Sequence, residues 1–147
     1  MRVAVGSDER THLTDFIVNE LKKRGHEVIL CGALIKEGTP WPDVGLEVAE
    51  KVASGECNTG IVMCWTSTGV CVVANKVRGI RATSCFDAET ARGARKWNDA
   101  NVLALSLRLT SEAVAREILD AWFGTPFDEN ERSNVLRVGE IESKYMK

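Results

Sequence analysis

Short apolar runs alternate with amphipathic stretches along most of the chain. Residues 3–7 are apolar and break at once into polar positions, the pattern of a short buried strand. Residues 15–24 set Phe16, Ile17 and Leu21 between charges, which predicts an amphipathic helix ended near Gly25. Residues 26–31 read as a second strand stopped at Gly32, and 33–42 as a loop punctuated by Gly38, Pro40 and Pro42. Asp43 is placed to cap a helix through about residue 54, in which Val44, Val48 and Val52 recur at four-residue spacing. Residues 60–64 make a third strand, 65–69 a polar turn and 70–77 a short apolar helix. A fourth strand follows at 80–85, then a helix capped by Asp87 and running to about Lys96. Residues 101–105 form a fifth strand, and Ser111 opens a helix that ends near Phe123, with Glu112 in its first turn. The tail, 126–147, is charged and predicted to be partly helical, packing on the body or on a neighbouring subunit. No repeat, linker or low-complexity tract interrupts this order, so residues 1–147 are expected to form a single domain.

Strands that alternate with helices predict an α/β fold. The expected form is a three-layer Rossmann-like sandwich: five parallel strands, helices on both faces and a C-terminal helical extension. In such sheets ligands bind beyond the carboxyl ends of the strands. The residues at those ends are Asp8-Glu9, Cys64-Trp65-Thr66-Ser67, Phe86-Asp87 and Ser106-Leu107-Arg108. A carboxylate, a thiol, hydroxyls and a guanidinium therefore converge on one rim.

Composition narrows the partners. Hydrophobic content of 44% and charged content of 27% are those of an ordinary globular chain and argue against disorder. A net charge of −2 without a basic run disfavours nucleic acid, yet leaves local arginines able to hold a small anion. No apolar stretch approaches the ~20 residues of a membrane span. Met1-Arg2 leads into the first strand with no cleavage site. Five cysteines without a CxxC pair suit free thiols in a reducing cytoplasm. His12 and His26 do not stand at ligand spacing with any cysteine pair, so no metal is expected.

The strongest local signal is Cys64-Trp65-Thr66-Ser67-Thr68-Gly69, set between a strand and a helix. Backbone N–H groups at a helix start favour negative charge, so this turn suits an oxyanion or a thiol of lowered pKa. Cys64 then serves as base or nucleophile, with Thr66 as hydrogen-bond partner. The competing reading is a buried structural cysteine, which is the expectation for Cys31, Cys57, Cys71 and Cys85. Arg92, Arg95 and Lys96 share one helix, where a solvated face explains Arg92 and Lys96. Arg108, at the end of a buried strand, suits the planar-fork recognition of phosphate. Arg132 and Arg137 read equally as surface charge. Trp65 and Trp97 fit a core or interface, and each also lies beside a candidate polar site.

With these residues placed, the chain resembles the ribose-5-phosphate isomerase B and galactose-6-phosphate isomerase family over nearly its full length, as an atypical member. The resemblance rests on Gly6-Ser7-Asp8, Gly25-His26-Glu27-Val28, Pro42-Asp43, Gly60-Ile61, and Cys64 with Thr66 and Gly69. It continues through Ala74-Asn75-Lys76-Val77, Gly79-Ile80-Arg81-Ala82, Thr90-Ala91-Arg92 and the run from Asn98-Asp99 to Leu105. It implies aldose–ketose isomerisation of a small phosphorylated sugar. A base moves a proton between C1 and C2 through an enediolate, with no metal or organic cofactor. Cys64 matches the base, and Thr66 the threonine that assists at the substrate oxygens. Some relatives carry a glutamate where Val70 stands, which makes this chain the cysteine type. Asp8 and Asn98 match contacts to sugar hydroxyls. Arg108, and across an insertion Arg132 and Arg137, match phosphate-binding arginines. Glu9, Trp65, Ser67, Thr68, Gly69 and Trp97 occupy other substrate-binding positions. Family sites form between subunits, which implies a homodimer or homotetramer.

Departures qualify the resemblance. Trp97 replaces a ring-opening histidine and has no acceptor on its ring; Glu9 replaces another histidine; Trp65 and Ser67 replace glycines of the anion-holding loop. One explanation is a substrate that needs no ring opening, such as a tetrose phosphate. The segment Phe127-Asp128-Glu129-Asn130 with Arg132-Ser133, and the pair Val70-Cys71, look similar to erythrulose-4-phosphate isomerases. A second is a pentose or hexose phosphate opened by solvent or another residue. A third is a weakly active or non-catalytic sugar-phosphate-binding subunit. A receiver-like signalling module would share the α/β order, but Ser106-Leu107-Arg108 lacks the lysine it requires.

Overall fold

The structure is a computed structural model describing residues 1–146. Five parallel strands form one sheet: β1 (Arg2–Ser7), β2 (Glu27–Gly32), β3 (Thr59–Cys64), β4 (Ala82–Ser84) and β5 (Val102–Ser106), in the order β2-β1-β3-β5-β4. β3 and β5 are buried at every residue because helices cover both faces, which is why each is a nearly continuous apolar run. Successive side chains still leave opposite faces. Val3, Val5, Ile61, Met63, Leu103 and Leu105 join the core made with α1 (His12–Lys23), α4 (Ala88–Asn98) and α5 (Glu112–Gly124). Ala4, Val62, Cys64 and Ala104 pack instead with α2 (Trp41–Ala53) and α3 (Thr68–Ala74). α2 lies directly on the strands. A Cβ on Gly60 would fall 2.6 Å from Val48 Cγ1, and one on Gly6 2.8 Å from Val48 Cγ2, so glycine is what permits the contact.

Several boundaries move from their expected places, each for a local reason. α1 begins at His12 because Thr11 and Thr14 cap each other. The Thr11 hydroxyl accepts the Thr14 N–H at 3.3 Å, and the Thr14 hydroxyl accepts the Thr11 N–H at 3.0 Å. α2 starts at Trp41, after extended Pro40 and with Pro42 in its first turn, so Asp43 lies inside the helix rather than at its cap. α3 begins at Thr68, with Ser67 at its cap, which draws Thr68 and Gly69 out of the expected turn. β4 is shorter than predicted. The side chain of Asn101 takes the Arg81 N–H at 2.7 Å, standing in for a ladder bond just ahead of the strand, while that of Asn75 takes the Ala82 N–H at 2.8 Å at its start.

The tail is helical, as expected: a short 3-10 turn leads into α6 (Arg132–Tyr145). α6 has no buried residue, and Leu136, Val138, Ile141 and Tyr145 are exposed along it. It is tethered near its ends. The Asp128 N–H donates to the Lys96 carbonyl at 2.9 Å, the Gly79 N–H donates to Glu142 Oε1 at 2.9 Å, and Arg78 bonds the Met146 carbonyl. Beneath it a cavity of about 650 Å³ remains against the β4 edge. Among the described residues no helix is long and apolar enough to cross a membrane.

Candidate active site

The chain reverses its direction of travel across the sheet between β1 and β3, since β2 lies outside β1 while β5 and β4 lie outside β3. A crevice at the carboxyl ends of the strands is expected at such a point. Asp8 enters it first, its N–H donating to the Met63 carbonyl at 3.4 Å. Burial holds the Asp8 carboxyl above the ordinary aspartate range, a backbone N–H opposes that rise, and neighbouring Glu9 adds to it. Ser7 braces this turn, its hydroxyl bonding the Glu9 carbonyl at 2.6 Å.

The turn after β3 is stitched to the turn after β5. The Cys64 carbonyl accepts the Leu107 N–H at 3.0 Å, and the Trp65 carbonyl accepts the Arg108 N–H at 3.1 Å and the Ser106 hydroxyl at 2.8 Å. Cys64 closes β3 at 5% exposure, while Trp65 beside it is 59% exposed. Ser67 is left-handed (φ 68°), an uncommon state for a residue with a Cβ, and its buried hydroxyl donates to Ser84 Oγ at 3.0 Å. Thr66 and Thr68 hydroxyls lie 2.8 Å apart on the exposed side. Gly69 sits under an aromatic wall, since a Cβ there would be 2.8 Å from Trp41 Cε3.

Arg108 is exposed on this rim and, among the described residues, its side chain has no hydrogen-bond or ion-pair partner. Arg92, Arg132 and Arg137 differ, being engaged by Glu89, Glu129 and Glu140. At seven residues α3 carries little dipole, and Arg108 brings an unpaired guanidinium to the rim. Burial pushes the Cys31 thiol up to about 12 and also raises Cys57 and Cys85, as suits packed thiols. Cys71 is half-buried, with Asn75 Nδ2 at 3.8 Å from its sulfur. Among the described residues no cluster of three or more His, Cys, Asp or Glu is arranged to hold a metal.

The remaining candidates stand elsewhere. α4 starts at the carboxyl rim, capped by Asp87, and runs back to Asp99 beside Arg81, just ahead of β4. Its 11 residues span roughly 16 Å at 1.5 Å each, so Trp97 and Asn98 lie at the opposite end of the sheet from Cys64. Trp97 folds back on Gly93, where a Cβ would be 2.9 Å from its Cζ3, and is 53% exposed. Arg132 is near this corner, 4.7 Å over the Phe127 ring, and Arg137 follows on α6. One chain thus brings together Asp8, Glu9, Arg108 and the Cys64-to-Gly69 turn, but not Trp97, Asn98, Arg132 or Arg137. Trp41 and Ser84 also belong to the first group, though sequence reasoning did not point to them. Trp41-Pro42-Asp43 at a helix start was a usable sign for the first, while Ser84 carried none.

A parallel sheet that presents a thiol, hydroxyls and an unpaired arginine past the carboxyl ends of its strands, at the switch point, has the frame of an α/β enzyme of small molecules. The chain belongs to the Ribose/Galactose Isomerase family, whose model matches residues 3–141. It is 41% identical over 112 residues to ribose-5-phosphate isomerase B of Escherichia coli, covering 76% of this chain and 75% of that protein. It is 36% identical over 130 residues to D-erythrulose-4-phosphate isomerase of Pectobacterium atrosepticum, covering 87% and 86%. The structure of ribose-5-phosphate isomerase B from Clostridium thermocellum matches with a TM-score of 0.92 and 45% identity, covering 99% of both chains. The expected fold and the class of sugar-phosphate aldose–ketose isomerase are both borne out.

Proposed function

We propose that this enzyme interconverts a four-carbon aldose phosphate and its ketose, with Cys64 as the base, in a site completed by a second copy of the chain. The observation that carries the reading is the partnerless guanidinium of Arg108, stitched through Trp65 to the turn that bears Cys64. The phosphate sits on Arg108 and the reacting carbons lie over the sulfur. Cys64, as thiolate, takes the proton from C2 of the aldose and electrons move to O1, giving the enediolate. The thiol returns that proton to C1 while a proton passes from O2 to O1. Thr66 donates its hydroxyl to the enediolate oxygens, with Thr68 holding it at 2.8 Å. Asp8 accepts a hydroxyl of the sugar.

Two features support a shared site. Trp97, Asn98, Arg132 and Arg137 lie at the far end of α4, out of reach of their own Cys64. α6 also leaves an apolar face uncovered next to them. In a two-fold dimer the rim of one copy meets this corner of the other. We read residues 1–147 as one domain whose tail, 126–147, packs on that partner, and the free thiols as those of a cytoplasmic enzyme.

Chain length of the substrate is argued from ring chemistry. An aldotetrose 4-phosphate carries its phosphate on the oxygen that would close a furanose, so it needs no ring opening. Trp97 offers no proton acceptor. Among the described residues the histidines stand elsewhere: His12 beside Glu112 and His26 stacked on Phe123. A non-catalytic binding subunit is disfavoured because thiol, hydroxyl and phosphate arginine all occupy one rim.

The test is a panel of C4 to C6 aldose and ketose phosphates, with solvent proton exchange at C1 and C2, run on the native protein and Cys64→Ser. The native enzyme turns over a tetrose phosphate fastest, and Cys64→Ser lowers turnover at least about 10²-fold while still binding inorganic phosphate. Undiminished exchange in the variant removes Cys64 from the role of base. A native preference for ribose 5-phosphate reassigns the substrate without touching the base.

A further inference from the structure

A second cavity, of about 520 Å³, opens at the amino-terminal end of the sheet, between the end of α5 and the segments that lead into β3 and β5. Arg81, Arg95, Asp99, Asn58, Trp122 and Phe123 line it. Two guanidiniums there share one carboxylate: Arg81 Nη2 is 3.4 Å and Arg95 Nη1 3.2 Å from the two oxygens of Asp99. The trio keeps one net positive charge at 23–28% side-chain exposure. Arg95 lies 5.7 Å from the Trp122 ring centre and spends its Nη1 on Asp99 and the Ala100 carbonyl. Its Nε and Nη2 have no partner among the described residues.

The neighbouring polar groups are already engaged. The Trp122 N–H donates to the Thr59 hydroxyl at 3.1 Å, which in turn donates to the Asn101 carbonyl at 2.9 Å, and the Asn101 amide serves Arg81 and Gly79. This leaves a pair of arginine donors beside an indole face, in a space walled by Phe123 and Pro126. Guanidinium donors in a partly enclosed, net-positive space recruit anions, and the aromatic wall favours a ligand with a flat apolar body.

We propose that this cavity binds a small organic anion, a carboxylate or phosphate monoester with a planar apolar portion, held by Arg95 with Arg81 behind it. The isomerase reading makes no use of the cavity, and the two stand or fall separately.

Phenyl phosphate is the probe, followed through the indole N–H resonances of Trp41, Trp65, Trp97 and Trp122. Trp122 reports this cavity and Trp65 the catalytic rim. The native protein gives a saturable shift of the Trp122 signal. Gly124→Asp sets a carboxylate at the cavity mouth, where a side chain meets no atom within 4 Å, and leaves Arg95 untouched. It weakens the Trp122 response at least about tenfold through like-charge repulsion, while the Trp65 response stays as in the native protein. Arg95→Gln gives the same selective loss. A Trp122 signal that never moves, or one that moves equally in Gly124→Asp, overturns the proposal.

Discussion

Asp8 illustrates how a single side chain is placed against its own solvation. Burial raises its pKa, so over some pH range the folded protein holds it protonated while the unfolded chain has already ionised it. Its contribution to stability is therefore fullest below the ordinary aspartate pKa and is lost as pH rises through the raised value. Asp8→Asn removes that ionisation. The variant is expected to melt higher than the native protein at neutral pH, with the advantage shrinking as pH falls below the ordinary aspartate range. Activity falls about tenfold or more, as for loss of a hydrogen bond to a charged group. Melting curves across pH check this, and an advantage that does not change with pH sinks the assignment. The rim residues were legible because a buried strand shows where it ends, and the residues just past that end face the crevice. Ser84 was not legible, because its bond to Ser67 joins positions 17 apart that only the sheet brings together.

At the scale of elements, α2 and α3 meet through small residues and one large ring. Gly69 is in the first turn of α3, where helix propensity alone favours alanine by about 0.8–1 kcal/mol. The ring of Trp41, 2.8 Å from the added carbon, opposes it. Overpacking of this kind costs about 1–3 kcal/mol, so the clash wins. Gly69→Ala is expected to destabilise the native protein, and in a Trp41→Ala background the same change becomes neutral or stabilising. Denaturant unfolding of the four proteins measures the coupling; additive effects would remove Trp41 from the wall of the turn. Element order was readable from apolar runs, but boundaries were not where polar side chains stand in for backbone. Thr14 completes a cap that starts α1 three residues ahead of the expected Asp15, and Asn101 holds the Arg81 N–H just before β4 from 20 residues away.

At the scale of the whole molecule, the candidate residues divide between two ends of one sheet. Sequence showed both groups but not the roughly 16 Å of helix between them, because adjacency along the chain carries no distance across the fold. In a two-fold dimer with shared sites, Cys64→Ser damages one half of each site and Asn98→Ala the other. Each variant alone is expected to be nearly inactive. An exchanged one-to-one mixture recovers about a quarter of native activity, because half the dimers are mixed and each carries one intact site of two. No recovery after verified subunit exchange would place the whole site within one chain.

α6 has a consequence of its own. Fourteen residues is near the length at which an isolated helix is marginal in water, and none of the residues of this one is buried. If a second copy covers its apolar face, as proposed, its persistence depends on how many chains are present. Dilution is then expected to leave residues 136–141 open to cleavage, so that the tail would gauge whether the subunit has found its companion.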